Sequence, residues 1–459
     1  MALPTIILLL LVVLFFSSNA TQPPRTLHIP VLHRDAAFPP APGATSPISL
    51  RLHAADATHY TVQLASSLHS TTITDDQQLR SPVVSGLPFD SGEYFATVGV
   101  GDPPTRALVV IDTGSDLIWL QCAPCRRCYR QLTPLYDPRR SSTTTHRRIP
   151  CSSPRCRGVL RYPGCDARTG GCVYTVVYGD GSSSTGDLAT DRLVVFPDDD
   201  GIAHHNVTLG CGHDNGGLFE SAAGLLGVGR GKLSFPTQVA DTYGRVFSYC
   251  LGDRMSRNTS TSYLVFGRAP EPPSMAFTPL RTNPRRPSLY YVDMVGFSVG
   301  GERVAGLASD SSLALDAATG RGGVVVDSGT AISRFAVDAY AAVRDAFDAR
   351  AAAGGMRKVD DNFSVFDACY DVYGYGGGHP KVRVPSIVLH FAGGADMALP
   401  PANYLVPVVG GDRRTHFCLG FQAADDGLNV LGNVQQQGFG VVFDVERGRI
   451  GFAPNGCSA

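Results

Sequence analysis

Beyond about Ser91, short apolar runs alternate with glycine, aspartate and proline, a rhythm that predicts strands. Tyr94–Val100, Ala107–Ile111, Val173–Tyr178, Leu193–Phe196, Leu264–Phe266, Val324–Val326, Ser386–Phe391 and Gly440–Phe443 all read this way. Helical spacing stands out in one place. Val337, Tyr340, Val343 and Phe347 recur at that period, and Gly354-Gly355 predicts where the helix stops. With 51 glycines and many turn residues, the chain reads as mainly β. Its 459 residues exceed the roughly 100–200 of a single domain, so two or more units are expected.

The amino terminus follows another pattern. An apolar run from Ile6 to Phe16 precedes Ser18-Asn19-Ala20, which predicts a secretory signal peptide over residues 1–20. The run is shorter than the about 20 residues a membrane helix needs. The final residues, Asn455 to Ala459, do not form a hydrophobic anchor signal, so a soluble mature protein is expected. Residues 21–80 contain five histidines and the proline-rich stretch Phe38–Pro42, but no cysteine.

All 12 cysteines lie between Cys122 and Cys457. Cys122, Cys125 and Cys128 are spaced as C-x-x-C-x-x-C, which would suggest zinc or an iron–sulfur cluster in a cytosolic protein. A secreted chain meets an oxidising compartment, where disulfides are the better expectation. Asn206, Asn258 and Asn362 each begin a glycosylation tripeptide. A net charge of -1 leaves no electrostatic footprint for nucleic acid or an anionic membrane.

Chemistry enters through an internal repeat. Leu108-Val109-Val110-Ile111 runs into Asp112-Thr113-Gly114-Ser115, and Val324-Val325-Val326 runs into Asp327-Ser328-Gly329-Thr330. Each is followed at a distance by an aliphatic pair and glycine, Leu225-Leu226-Gly227 and Val430-Leu431-Gly432. Two lobes on one plan would produce this pattern. A single aspartate-glycine motif usually marks a turn, but two copies behind aliphatic strands suggest paired carboxylates. Carboxylates held together cannot both ionise cheaply, so one serves as base and the other as acid. In this reading Thr113 and Ser328 reach into the opposite lobe, and Ser115 and Thr330 bond their neighbouring carboxylates. Gly114 and Gly329 allow close backbone approach.

Together these segments resemble the pepsin-like aspartic proteases, specifically the plant nepenthesin-like branch that includes guard-cell aspartic proteases. Ser91-Gly92-Glu93-Tyr94-Phe95, Asp112 through Trp119, Tyr178-Gly179-Asp180-Gly181-Ser182 and Gly210 through Asn215 carry the resemblance. Asp327-Ser328-Gly329-Thr330, Gly432 through Gln437 and Ile450 through Pro454 extend it to the carboxy terminus. Leu32-His33-Arg34-Asp35 extends it more loosely into the leader. The resemblance implies a mainly β, bilobal pepsin-like fold with the active cleft between two β-rich lobes. It implies that Tyr178, with Gly179 and Asp180, belongs to a flap over the cleft, and that Trp119 bonds the flap tyrosine. It also implies disulfides Cys122–Cys125, Cys128–Cys211, Cys151–Cys172, Cys156–Cys165, Cys250–Cys457 and Cys369–Cys418.

The expected organisation is therefore a signal peptide (1–20), a prosegment (21–80), an amino-terminal lobe (81–277) and a carboxy-terminal lobe (278–459). The expected activity is secreted aspartic endopeptidase, acid-active and pepstatin-sensitive, with Asp112 and Asp327 catalytic. Protein or peptide is the substrate, the prosegment a possible inhibitor, and the molecule a monomer in the apoplast or, alternatively, the vacuole. No metal or organic cofactor is expected: His213-Asp214 lacks a second ligand cluster, and neither a G-x-S-x-G elbow nor a dinucleotide motif is present. The competing expectation is a non-catalytic inhibitor of microbial cell-wall glycosidases on the same fold.

Overall fold

The computed structural model describes residues 27–33, 92–142, 146–157, 163–195, 203–219, 221–253, 262–307, 312–359, 366–371, 382–409 and 415–458. The signal peptide, Asn258, Asn362 and all of the expected prosegment except Leu27–His33 lie outside them.

Aliphatic runs form strands that bury both faces, as sheet-interior strands must. Val109, Val110 and Ile111 are all buried, as are Val324, Val325 and Val326. Thr105–Asp112 lies between antiparallel Tyr94–Val100 and parallel Gly224–Gly227, with Ile111 opposite Leu226 and Asp112 opposite Gly227. Val324–Val326 lies likewise between antiparallel Tyr291–Val292 and parallel Asn429–Leu431, with Val326 opposite Leu431. The repeated motifs thus occupy equivalent places in two β-rich lobes. Each aspartate leaves a strand end beside its aliphatic-glycine partner.

A shared sheet joins the lobes. Val246–Cys250 pairs with Tyr263–Phe266 on one side and Gly440–Asp444 on the other. Arg449–Ala453 and Ala276–Pro279 complete that edge. Phe247 and Phe443 stack at 4.6 Å, and Tyr290 meets Phe443 edge-on at the same separation. Leu27–His33 runs antiparallel to both Tyr263–Phe266 and Tyr94–Val100, so a leader strand adds directly to the sheet.

The predicted helix spans Val337–Ala353 and buries Tyr340, Val343 and Phe347. Val337, at its first position, is 52% exposed and contributes little to that face. Among the described residues no helix is long and apolar enough to cross a membrane.

Cysteine pairing departs from the expectation in four of six bridges. Cys250–Cys457 and Cys369–Cys418 form as anticipated, but the remaining pairs are Cys122–Cys211, Cys125–Cys128, Cys151–Cys165 and Cys156–Cys172. The reason is sheet register. Trp119–Gln121 runs parallel to Ala203–Gly216 with Leu120 opposite Cys211, which brings Cys122 to a Cα distance of 5.3 Å from Cys211. Cys125 and Cys128 are then left to each other. In the hairpin of Pro163–Asp166 and Gly171–Val177, Cys172 is buried and meets the buried Cys156 of the short helix Pro154–Arg157. The more exposed Cys165 pairs with Cys151.

Candidate active site

Asp112 and Asp327 meet at the junction of the lobes because their two loops interlock. The Thr113 hydroxyl donates to Val326 O at 3.0 Å, and the Ser328 hydroxyl donates to Ile111 O at 2.7 Å. Each hydroxyl also accepts the other loop's amide, Ser328 N at 2.8 Å and Thr113 N at 3.2 Å. Both side chains are completely buried, so these bonds face no competition from water. Gly114 and Gly329 permit the approach. A Cβ on Gly114 would lie 2.8 Å from Asp327 Oδ2, and one on Gly329 would collide with Asp112 Oδ1.

The carboxylates are held alike. Gly114 N donates to Asp112 Oδ1 at 2.8 Å, and Gly329 N donates to Asp327 Oδ1 at 2.9 Å. The second oxygens accept hydroxyls, Ser115 on Asp112 and Thr330 on Asp327, the latter at 2.7 Å. Burial first, and then the neighbouring Asp327 charge, push Asp112 well above the usual carboxylate range. The Ser115 and Gly114 hydrogen bonds oppose that rise without cancelling it.

The hairpin of Gly171–Val177 and Ser183–Val195 reaches this site through Tyr178 at its tip, which feels the Asp112 charge. Its tip closes through Tyr178 N to Ser182 O at 2.8 Å, with Gly181 at a positive φ of 85°. Asp180 stays within the turn, accepting Ser182 N at 2.9 Å and the Ser182 hydroxyl at 2.6 Å. Trp119 Nε1 donates to the Tyr178 hydroxyl at 2.8 Å. Burial, followed by the Asp112 charge, raises the Tyr178 phenol well above its ordinary range.

Several residues near the site received no role in the motif reading. Phe219 packs edge-on against both Trp119 and Tyr178, with ring separations of 5.0 and 5.4 Å. Asn433 donates to Ser328 O at 3.0 Å and to Gly92 O at 2.7 Å, tying the second loop to the first lobe. Gln436 donates to Asp327 O at 3.3 Å. Asn433 directly follows Leu431-Gly432 and Gln436 lies three residues further on, so their positions were available, but their partners were not. Asp116 accepts Gly231 N at 2.8 Å, and burial pushes it up to about 6. Arg334 reaches the flap from the other lobe. Among the described residues no group of three or more His, Cys, Asp or Glu side chains is arranged to hold a metal ion.

Family models described as xylanase inhibitor N-terminal and xylanase inhibitor C-terminal match residues 94–268 and 289–454. The chain belongs to the pepsin-like aspartic-protease superfamily and is related to the plant nepenthesin and guard-cell aspartic proteases. It is 49% identical over 378 residues to Aspartyl protease family protein 2 of Arabidopsis thaliana, a match covering 82% of this chain and 74% of that one. It is 43% identical to the Arabidopsis thaliana protein Aspartic protease in guard cell 2, over 82% of this chain and 75% of the relative. The crystal structure of the protein called edgp superposes with a TM-score of 0.63 at 21% identity, covering 81% and 94% of the two chains. That last likeness is one of fold.

Proposed function

We propose that the protein is a secreted aspartic endopeptidase in which Asp112 and Asp327 activate a water molecule. The carrying observation is the reciprocal clamp between Thr113 and Ser328, which supports two equally braced carboxylates at one point. Substrate lies extended between the lobes beneath the flap. One carboxylate takes a proton from water as the oxygen attacks the scissile carbonyl, and the protonated partner donates to the carbonyl oxygen. The tetrahedral intermediate then collapses, and the leaving amine is protonated. Trp119 holds Tyr178 over the site, and Gly179 and Asp180 form the closing turn that limits water entry. The chemistry needs the dyad to share one proton, which favours acid pH, and the same geometry suits pepstatin.

The six disulfides fit passage through an oxidising compartment. In this reading residues 1–20 are removed as a signal peptide and residues 21–80 act as a prosegment. The pairing of Leu27–His33 with both neighbouring strands supports a leader held against the mature fold. In the same reading, arginines and histidines of the prosegment pair with carboxylates of the cleft at neutral pH, and acid, by protonating those carboxylates, releases them. Asn206, exposed on its strand, is the described glycosylation candidate. The mature protein acts as a monomer in the apoplast, with the vacuole as the other destination.

The names of the two matching families, xylanase inhibitor N-terminal and C-terminal, raise a second reading, a non-catalytic inhibitor of microbial cell-wall glycosidases. Hydrolysis of a denatured protein at acid pH separates the two. Wild-type cleavage that pepstatin stops and that Asp112→Asn loses supports the protease. No cleavage, or an undiminished Asp112→Asn variant, defeats it.

A further inference from the structure

Against the flap tip stands an arginine of the other lobe that the dyad does not use. Arg334 lies on Ser333–Ala336 in the carboxy-terminal lobe, four residues beyond Thr330. Its strand is held on both sides, with Arg334 opposite Gln422 in one ladder and Val430 in the other. The side chain turns towards the other lobe's flap. A Cβ placed on Gly179 would lie 3.7 Å from Arg334 Nη2.

Little in the described structure neutralises this cation. Arg334 Nε is buried and has no hydrogen-bond partner among the described residues. Asp426 is its ion-pair partner there, at 4.0 Å and 54% exposed, which is a loose and screened contact. The nearest flap carboxylate, Asp180, has both oxygens engaged by Ser182. A partly desolvated guanidinium with an unused N–H favours a planar anion, and a carboxylate matches its fork of donors.

We propose that Arg334 selects substrates carrying an aspartate or glutamate side chain at the residue that lies beneath the flap tip. Gly179 and Arg334 lie within van der Waals reach and together bound one side of the space beneath the flap tip, so an extended peptide held there passes beside the guanidinium and turns one side chain towards it. This inference rests on the proteolytic reading and deepens it. The side-chain carboxylate loses its charge near pH 4, so selectivity must fade at lower pH even while the dyad remains active.

The test uses the full-length chain, preincubated at acid pH, and matched peptides with glutamate or glutamine at successive positions flanking one cleavage site. At about pH 5.5, one position shows kcat/KM about tenfold higher for glutamate, the size of one charge-assisted contact near solvent. At about pH 3 the ratio falls to about one. Arg334→Gln removes the preference at pH 5.5 without abolishing cleavage of the glutamine peptide, and Arg334→Lys keeps part of it. Equal rates at every position, or a preference unchanged in Arg334→Gln, overturn the proposal. If Arg334→Gln does not fold, a full wild-type preference in Arg334→Lys that is independent of pH overturns it instead. Fluorescence anisotropy of the same peptides separates this claim from catalysis. Binding that prefers glutamate and loses that preference in Arg334→Gln, with no cleavage, supports the arginine and defeats the protease. Equal binding of both peptides overturns the arginine's role.

Discussion

Thr113 and Ser328 exchange hydrogen bonds across the lobe boundary, each hydroxyl accepting the other's amide while donating to the opposing strand's carbonyl. The two residues are 215 positions apart, yet each completes the other's backbone. Removing either hydroxyl strands a buried N–H and a buried C=O at once. Thr113→Ala and Ser328→Ala are each expected to cost about 1–3 kcal/mol, read from the urea midpoint. The double variant should cost less than the sum, because losing one hydroxyl already loosens the loop whose backbone the other braces. Strict additivity would show that the clamp is not a coupled unit.

The glycines beside the aspartates permit no side chain. Gly114→Ala places a methyl group 2.8 Å from an Asp327 oxygen, so the carboxylates must separate. Peptidase turnover is expected to fall by about 100-fold, the scale set by roughly 1 Å of misplacement at a reacting centre. Far-ultraviolet circular dichroism should stay unchanged, which separates this effect from misfolding.

Trp119 is the sole tryptophan, and its indole donates to the flap tyrosine, so its fluorescence reports directly on the flap. Saturating pepstatin is expected to shift its emission in the wild type and much less in Tyr178→Phe. Trp119→Phe removes the hydrogen bond but keeps a ring beside Phe219. It should cost about 0.5–1.5 kcal/mol in kcat/KM.

Stability should decline as pH rises. Asp116 is pushed up to about 6 from its ordinary 3.8, so the folded chain holds this proton where the unfolded chain has released it. Its contribution is intact below about pH 4 and is lost as pH climbs through about 6, on the order of 3 kcal/mol. The raised Asp112 carboxyl acts in the same direction. Asp116→Asn should flatten the slope between pH 4 and 6 in a denaturation series, keeping a side-chain acceptor for Gly231 N.

Disulfide mapping offers a check that is independent of activity. Non-reducing peptide maps should join Cys122 to Cys211 and Cys125 to Cys128. Replacing Cys122 and Cys211 together by serine opens a link between residues 89 apart and should cost about 4.5 kcal/mol. The Cys125–Cys128 replacement, spanning 3, should cost about 2 kcal/mol.

The site was legible in the chain to the extent that it is local. Asp112 and Asp327 announce themselves through adjacent aliphatic strands and glycines, and Tyr178 through the glycine-rich tip beside it. Phe219 carries no such mark, because its role comes from packing between Trp119 and Tyr178, which lie on a strand and a hairpin tip distant from it in sequence. Arg334 is similarly silent: a lone arginine on a strand acquires meaning only when Gly179 of the other lobe lies opposite it.

By itself the sequence determined the strand-rich texture, the duplicated aspartate loops and the helix ending at glycine. These follow from side-chain periodicity and backbone preference within a few residues of each other. The tertiary structure alone decided which cysteines meet and how Thr113 and Ser328 lock the lobes. Only there, too, does a cation face the flap. Those contacts depend on sheet register and lobe packing, where a one-residue change in pairing alters every neighbour.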